Sequence, residues 1–475
     1  MTQASTAPSS ARLPFHRIIS FACLSLPATP LLLLLGVYMP RFYAGHLGVK
    51  LGAVGAAFML VRLIDISFDP FVGLLMDRTR TPIGRYRPWV ILAAPILMFA
   101  IYKLFLPVAG VGLGYMVLWL LVLYAGNSMF ILGQAAWGSV LATDYHERSR
   151  TYGWMQALGV ASSAAFLMLP LLTHGRIQPG RHESMGAIGW ILIVTLPTAL
   201  IATLLFTPEK IIPQSGRQRF QLSSYVAAIG RPDMRRIILA DLTLSFGTGL
   251  TGPIYIFFFH DAKGFGIPAT ASLLFFYIAA GLFGSPFWAS VAAKAGKPRT
   301  IQIACVIYAL CQTVLMIAPK AAYLPTAAAM FAVGFCASAF VPMVRAMVAD
   351  VGDEIRLEAN KDVISVLYSM VTTTAKVGQA MAIGVVLPVL GLVGYNAAEN
   401  AVNTPGAIFG LEMCYLFAPI FFVAIGALTL LGFSLTRARH AEVRAALDAR
   451  DGKAAQVDVA AAEEALTGPT AASAV

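Results

Sequence analysis

Apolar residues fall along this chain in long blocks, not in alternation. A helix needs about 20 residues to cross roughly 30 Å of hydrocarbon. Twelve windows of that kind recur from end to end, centred near Leu33, Phe58, Leu97, Leu123, Ala164, Leu200, Ser245, Ala279, Val306, Val333, Ala382 and Ala424. Backbone groups in lipid must be satisfied within their own segment, so runs this long predict helices. Barrel strands would alternate polar and apolar positions over about ten residues, and no segment does so. The predicted fold class is an all-α membrane protein of twelve transmembrane helices.

The longest polar interruption, Thr207 to Arg236, divides the windows six and six. The expected organisation is an N-terminal arm (1–15), a six-helix bundle (16–207), a central cytoplasmic loop (208–234), a second six-helix bundle (235–436) and a cytoplasmic tail (437–475). A basic turn follows the second window of each half: GLLMDRTRTPIGRYRP from Gly73, and the fainter ASVAAKAGKPR ending at Arg299. Matching signals at matching places suggest a duplicated unit, common among secondary transporters that bind their cargo at the midplane between repeats. Glycine and proline within the windows, such as Pro27, Pro30 and Pro40 or Gly247, Gly249 and Gly252, suit either close helix packing or flexible gate segments.

Composition closes off other classes. Of 475 residues, 58% are hydrophobic and 12% charged, with a mean hydropathy of +0.75, a balance foreign to water-soluble domains. If both termini are cytoplasmic, roughly 24 of the 34 basic residues lie on the cytoplasmic side, as positive-inside bias requires. The net charge of +11 is then a record of topology, and no nucleic-acid partner is implied. The first apolar run is too long, and lacks a small-residue cleavage site, for a removed signal peptide. Five cysteines sit in apolar runs as packing residues. No HExxH, GxSxG, phosphate loop or Cys/His metal spacing is present, so neither an enzyme nor a bound cofactor is expected.

Charges inside the windows carry the chemistry. Arg62, Asp65 and Asp69 lie in the second window and Lys376 in the eleventh; an ionisable group at such depth costs a few kcal/mol and usually faces a wet cavity. Asp65 and Asp69 are four residues apart, on one helix face and separated by about 6 Å of rise. Two such carboxylates repel, so one takes a proton or both share a cation. Pro70 leaves the Ile66 carbonyl without its helical partner, a further oxygen for a hard cation. The alternative is purely structural: Arg62 neutralises Asp65 and Lys376 neutralises Asp69. Beyond the window, Gly73 followed after three residues by Asp77 and Arg78 resembles the loop signature of the major facilitator superfamily, which implies a cytoplasmic gate of Asp77, Arg78, Arg85 and Arg87 that pairs charge between loop and helix ends; the alternative is simple positive-inside bias.

The stretch RLIDISFDPFVGLLMDRTRTPIGRYRPW, Arg62 to Trp89, resembles the second-helix and loop signature of the glycoside–pentoside–hexuronide:cation symporters, the melibiose permease group of the major facilitator superfamily. Ile64 stands where that signature has tryptophan. DYHERSR from Asp144, ADVGDE from Ala349 and TTTAKVGQA from Thr372 agree in order. The resemblance implies symport driven by Na⁺, H⁺ or Li⁺, with Asp65, Asp69 and Ser128 binding the cation and Arg62, Lys376 and Thr372 forming the coupling network. Asp144 and Asp350 join the gate. The charged sugar ligands of the melibiose type are missing, their places taken by Thr29, Ile131 and Gln156, and the stacking tryptophan by Ala135, with Trp137 near.

A neutral lining is therefore expected from Thr29, Tyr38, Asn127, Gln134, Trp137, Gln156, Tyr255, Tyr368 and Gln379, with Arg345 as an anchor if the solute is anionic or otherwise a partner of Asp144 or Asp350. The expected partners are a small solute such as a glycoside, a coupling cation and the lipid bilayer, for a monomer in a bacterial inner membrane. A sodium-coupled lysophospholipid carrier of the same fold is the alternative, and a non-transporting receptor a more distant one.

Overall fold

The computed structural model describes residues 13–108, 110–141, 145–173, 182–209, 228–359, 363–398 and 401–450. Among them the regular structure is helical: α1 (Phe15–Ala22), α2 (Ser25–Val37), α3 (Met39–Arg41), α4 (Leu51–Arg78), α5 (Arg87–Phe105), α6 (Leu113–Leu141), α7 (Tyr145–Leu172) and α8 (His182–Phe206) in the first half. The second half holds α9 (Pro232–Phe257), α10 (Ile267–Ala295), α11 (Lys297–Ile317), α12 (Tyr323–Ala337), α13 (Phe340–Ala359), α14 (Ile364–Leu392) and α15 (Pro405–Thr429). Eleven of the resulting helical stretches are long and apolar enough to cross a membrane. The window near Ala164 folds as α7, 28 residues long but more polar, with Tyr152, Gln156, Ser162 and Ser163 along it.

The weak duplication signal becomes explicit in the fold. Each half has a five-residue π-helical turn, Phe42–His46 and Phe258–Ala262. A positive-φ glycine follows each, Gly48 and Gly264, and then the helices starting at Leu51 and Ile267. Pro70 and Pro286 keep the same offset of 216 residues, within FDPF and GSPF. So do Gly36 and Gly252, which meet where α2 crosses α9: a Cβ on Gly252 would lie 3.9 Å from the Gly36 carbonyl oxygen.

The halves touch through α4 on α14, α7 on α10 and α2 on α9. The first pair crosses closely because small residues are placed there: a Cβ on Gly55 would come within 2.8 Å of Pro388 Cδ. Burial divides the molecule unevenly. One apolar cluster joins the first half to residues such as Phe257, Phe258, Leu387 and Tyr415 at the face opposite the termini. A second, built on Trp288, Tyr308, Met343 and Leu447, belongs to the second half and the tail, with Ala228 just before α9 and Met234 in its first turn. One cluster thus runs from Leu13 and Ile18 near the N-terminus to the far face that the halves share, while the second half has a core of its own near the termini.

Candidate functional site

The second apolar window folds as the continuous helix α4, which carries Pro70 without breaking and presents Asp65 and Asp69 to α14. Asp65 is 5% exposed. Ser128, on α6, donates its hydroxyl to Asp65 Oδ1 at 2.6 Å. Lys376 Nζ reaches across from the other half, 3.8 Å from Asp65 Oδ2 and directly bonded to Asp69 Oδ2. Asp69 Oδ1 is buried without a hydrogen-bond partner among the described residues. One ammonium therefore holds two carboxylates and ties the halves together at mid-depth.

Arg62 departs from the structural alternative. Its guanidinium stacks over the Tyr124 ring at 4.7 Å, and no carboxylate lies at ion-pair distance from it among the described residues. Serine and lysine already occupy the Asp65 oxygens, so the arginine turns instead to the aromatic face, where a cation is attracted by the ring quadrupole. There it lines a cavity of about 560 Å³ between the halves. Thr29, Lys376 and Gln379 line the same cavity, with Tyr124, Ser163 and apolar residues of both halves such as Phe58 and Ile278. Thr372 lies one turn before Lys376 on α14 and is exposed.

Several expected lining residues are used for packing instead. Trp137 is fully buried against Phe21, edge to face at 5.4 Å. Gln134 donates to Ser25 Oγ at 3.2 Å, and Tyr255 to the Thr270 carbonyl at 2.9 Å. Tyr38 and Asn127 are buried, each with an oxygen that lacks a partner among the described residues. Gln156 is exposed on α7. None of these six borders the cavity. Tyr368 donates to the Arg345 carbonyl at 3.2 Å, and both lie outside the cavity too, with the Arg345 side chain exposed. Hydropathy identifies polar residues in a window but not the direction in which each points.

Two loop arginines have described partners in the first half. Arg85 Nε donates to the Met76 carbonyl at 3.2 Å. Arg87 Nη2 donates to the Leu204 carbonyl at 2.5 Å, and its guanidinium lies 5.4 Å from the Trp137 ring. Arg78 is exposed. The Asp77 side chain and Asp144 lie outside the described residues. Asp350 pairs not with Arg345 but with Lys297 at 2.6 Å and with His440 of the tail at 3.2 Å. Glu209 carries no signal along the chain, yet its carboxylate accepts the backbone N–H groups of Arg85, Tyr86 and Arg87 at 2.7 to 3.1 Å. This caps the start of α5 with an anion, as the orphan N–H groups and dipole there favour. Gly84, at φ +126°, leaves the room this requires.

A helical bundle in two repeated halves, with an ion-paired lysine and two carboxylates beside a cavity between them, defines a membrane carrier. A model of the MFS/sugar transport protein family matches residues 20–437, and the chain belongs to that family. As the motifs implied, it falls with the glycoside–pentoside–hexuronide:cation symporters of the major facilitator superfamily. It is 24% identical to the isoprimeverose transporter of Lactiplantibacillus pentosus, over 85% of each chain. It is 23% identical to the glucuronide carrier protein homolog of Escherichia coli K12, over 87% of this chain and 91% of the relative. The nucleoside transporter NupG superposes with a TM-score of 0.67 at 12% identity, covering 88% of this chain and 99% of that one. The protein is an integral multi-pass membrane transporter of a small solute, and not an enzyme.

Proposed function

We propose that this protein is a secondary active symporter that couples entry of Na⁺ or H⁺ to uptake of a sugar, glycoside or related solute by alternating access. The carrying observation is the pairing of Lys376 with both Asp65 and Asp69 across the two halves. Counting groups at ion-pair distance, two carboxylates face one ammonium, and a single proton or monovalent cation balances the excess negative charge. Ser128 supplies a neutral oxygen beside Asp65, suited to a hard cation.

An arriving cation competes with Lys376 for these oxygens. Its binding weakens the tie between the halves and frees the ammonium toward the cavity, where Arg62, Thr29 and Gln379 await the solute. Twelve spans with both termini cytoplasmic, halves bounded at 16–207 and 235–436, a monomeric state and a bacterial inner membrane complete the proposal. The relatives named above, a transporter of isoprimeverose and a glucuronide carrier homolog, support a glycosidic cargo.

Uptake into right-side-out vesicles tests this, using labelled glycosides and uronides under separately imposed Na⁺ and pH gradients. Accumulation should require one cation gradient, and Asp69→Asn should abolish accumulation while leaving protein in the membrane. A variant that concentrates solute as well as the native chain makes Asp69 a structural partner of Lys376 and nothing more.

A further inference from the structure

A second polar connection joins the halves at the face opposite the termini, where the two π-helical turns lie. Arg41, the last residue of α3, reaches into the turn Phe258–Ala262 of the other half. Its Nη1 is 3.7 Å from Asp261 Oδ2, and its Nη2 is 3.2 Å from His260 Nδ1. The guanidinium also lies 5.5 Å from the Phe257 ring. His260 Nδ1 is in turn 2.5 Å from Asp261 Oδ1, and Tyr395, just beyond α14, donates its hydroxyl to Asp261 Oδ2. The backbones approach there as well: a Cβ on Gly45 would lie 3.0 Å from the Ala397 carbonyl oxygen.

This connection is only partly satisfied. Arg41 Nη1 is buried without a hydrogen-bond acceptor among the described residues. His260 Nδ1 is contested, because one ring nitrogen cannot both accept from Arg41 and donate to Asp261. As an acceptor it completes the contact between the halves. Carrying a proton it bonds Asp261 within its own turn and has nothing to offer Arg41. On a doubly protonated imidazole, a second cation also competes with Arg41 for the same carboxylate. Histidine is the side chain whose charge changes near neutral pH. The charged and titratable groups recorded against it among the described residues are Arg41, Asp261 and, through Asp261, Tyr395. Burial and then the Asp261 carboxylate push the Tyr395 hydroxyl up, so it remains a donor. Lys263, close in sequence, is turned away to the Met316 and Ala318 carbonyls.

We propose that Arg41, His260, Asp261 and Tyr395 form a latch that holds the far face of the carrier shut, and that a proton arriving at His260 from that face loosens it. The proposal rests on alternating access. Its location agrees with the shared apolar core at this face, which must part when the face opens. Beside the latch, Lys50 of the first half and Ala398 of the second both line a cleft of about 710 Å³, which also includes Tyr395.

Spin labels on Lys50→Cys and Ala398→Cys, in a background whose five native cysteines are replaced by serine, report the width of this cleft by pulsed electron resonance without any solute. At pH 7.5 a short distance should dominate. Asp261→Asn, and more mildly Tyr395→Phe, should raise a longer-distance population several-fold. Acidification to pH 5.5 should do the same in the native background and not in His260→Gln. If Asp69→Asn shifts the distances while Asp261→Asn and acid do not, the latch is wrong and alternating access survives. If no variant or pH changes the cleft, both fall.

Discussion

Lys376 and Ser128 have unequal tasks at the carboxylates of α4. The lysine is a counter-charge from the other half, which the proposed mechanism requires to move; the serine is a neutral dipole from α6, in the same half as Asp65. Losing a hydrogen bond to a charged group costs about 1.5–3 kcal/mol, and each 1.4 kcal/mol is about tenfold in affinity. Ser128→Ala is therefore expected to raise the cation concentration for half-maximal uptake by roughly tenfold or more, with the maximal rate less affected. Cation titrations of uptake at saturating solute check this. If the serine merely packs, the titration curve stays in place.

The same residues show what a linear pattern can disclose. Asp65, Asp69 and Lys376 stand out because a charge in an apolar window is costly and needs a reason. Arg62 stands out equally, yet its partner, the Tyr124 ring, carries no such signal. Tyr255 and Gln134 have the chemistry of ligands, but the Tyr255 hydroxyl donates to a carbonyl and the Gln134 amide to a serine of neighbouring helices.

Among the elements, the turn between α4 and α5 carries a local task besides the gate its charges imply. Its arginines suggested a gate, but the described partners of Arg85 and Arg87 lie within the first half. Three consecutive N–H groups close around Glu209, and Gly84 sits against that carboxylate in a left-handed conformation. Gly84→Ala meets both an unfavourable φ and an occupied space, and should destabilise the fold by about 1–3 kcal/mol. Thermal melting of the purified protein in detergent measures it. Glu209→Gln should lower the melting temperature less, since an amide oxygen still accepts but the favourable charge at the start of α5 is gone.

Across the whole molecule, two polar clusters among the described residues join the halves at different depths: the Lys376 cluster midway and the Arg41 cluster at the far face. Near the termini, Asp350 and Asp353 pair instead with the tail, residues 437–450, whose Val443 and Leu447 are 1% exposed. The tail is thus a working part of the second half's core. Leu447→Ala should cost about 2–5 kcal/mol, the range for truncating a buried leucine. A lower melting temperature with unchanged solute selectivity is the expected outcome, since Leu447 lies outside the cavity lining.

Helical class, the approximate spans and the carboxylate pair were all legible along the chain, because each rests on the local cost of placing a residue in lipid. The duplication was legible only faintly: FDPF and GSPF share little until the folded π-turns and Gly36 against Gly252 align them. Tertiary structure alone decided which polar side chains face the cavity, that Lys376 serves both acids, and that Arg41, His260, Asp261 and Tyr395 converge from three segments. Such contacts join residues up to 354 positions apart, as between Arg41 and Tyr395, whose shared partner is Asp261. The energy of a charge depends on the groups that surround it in space, and those neighbours exist only once the helices have packed.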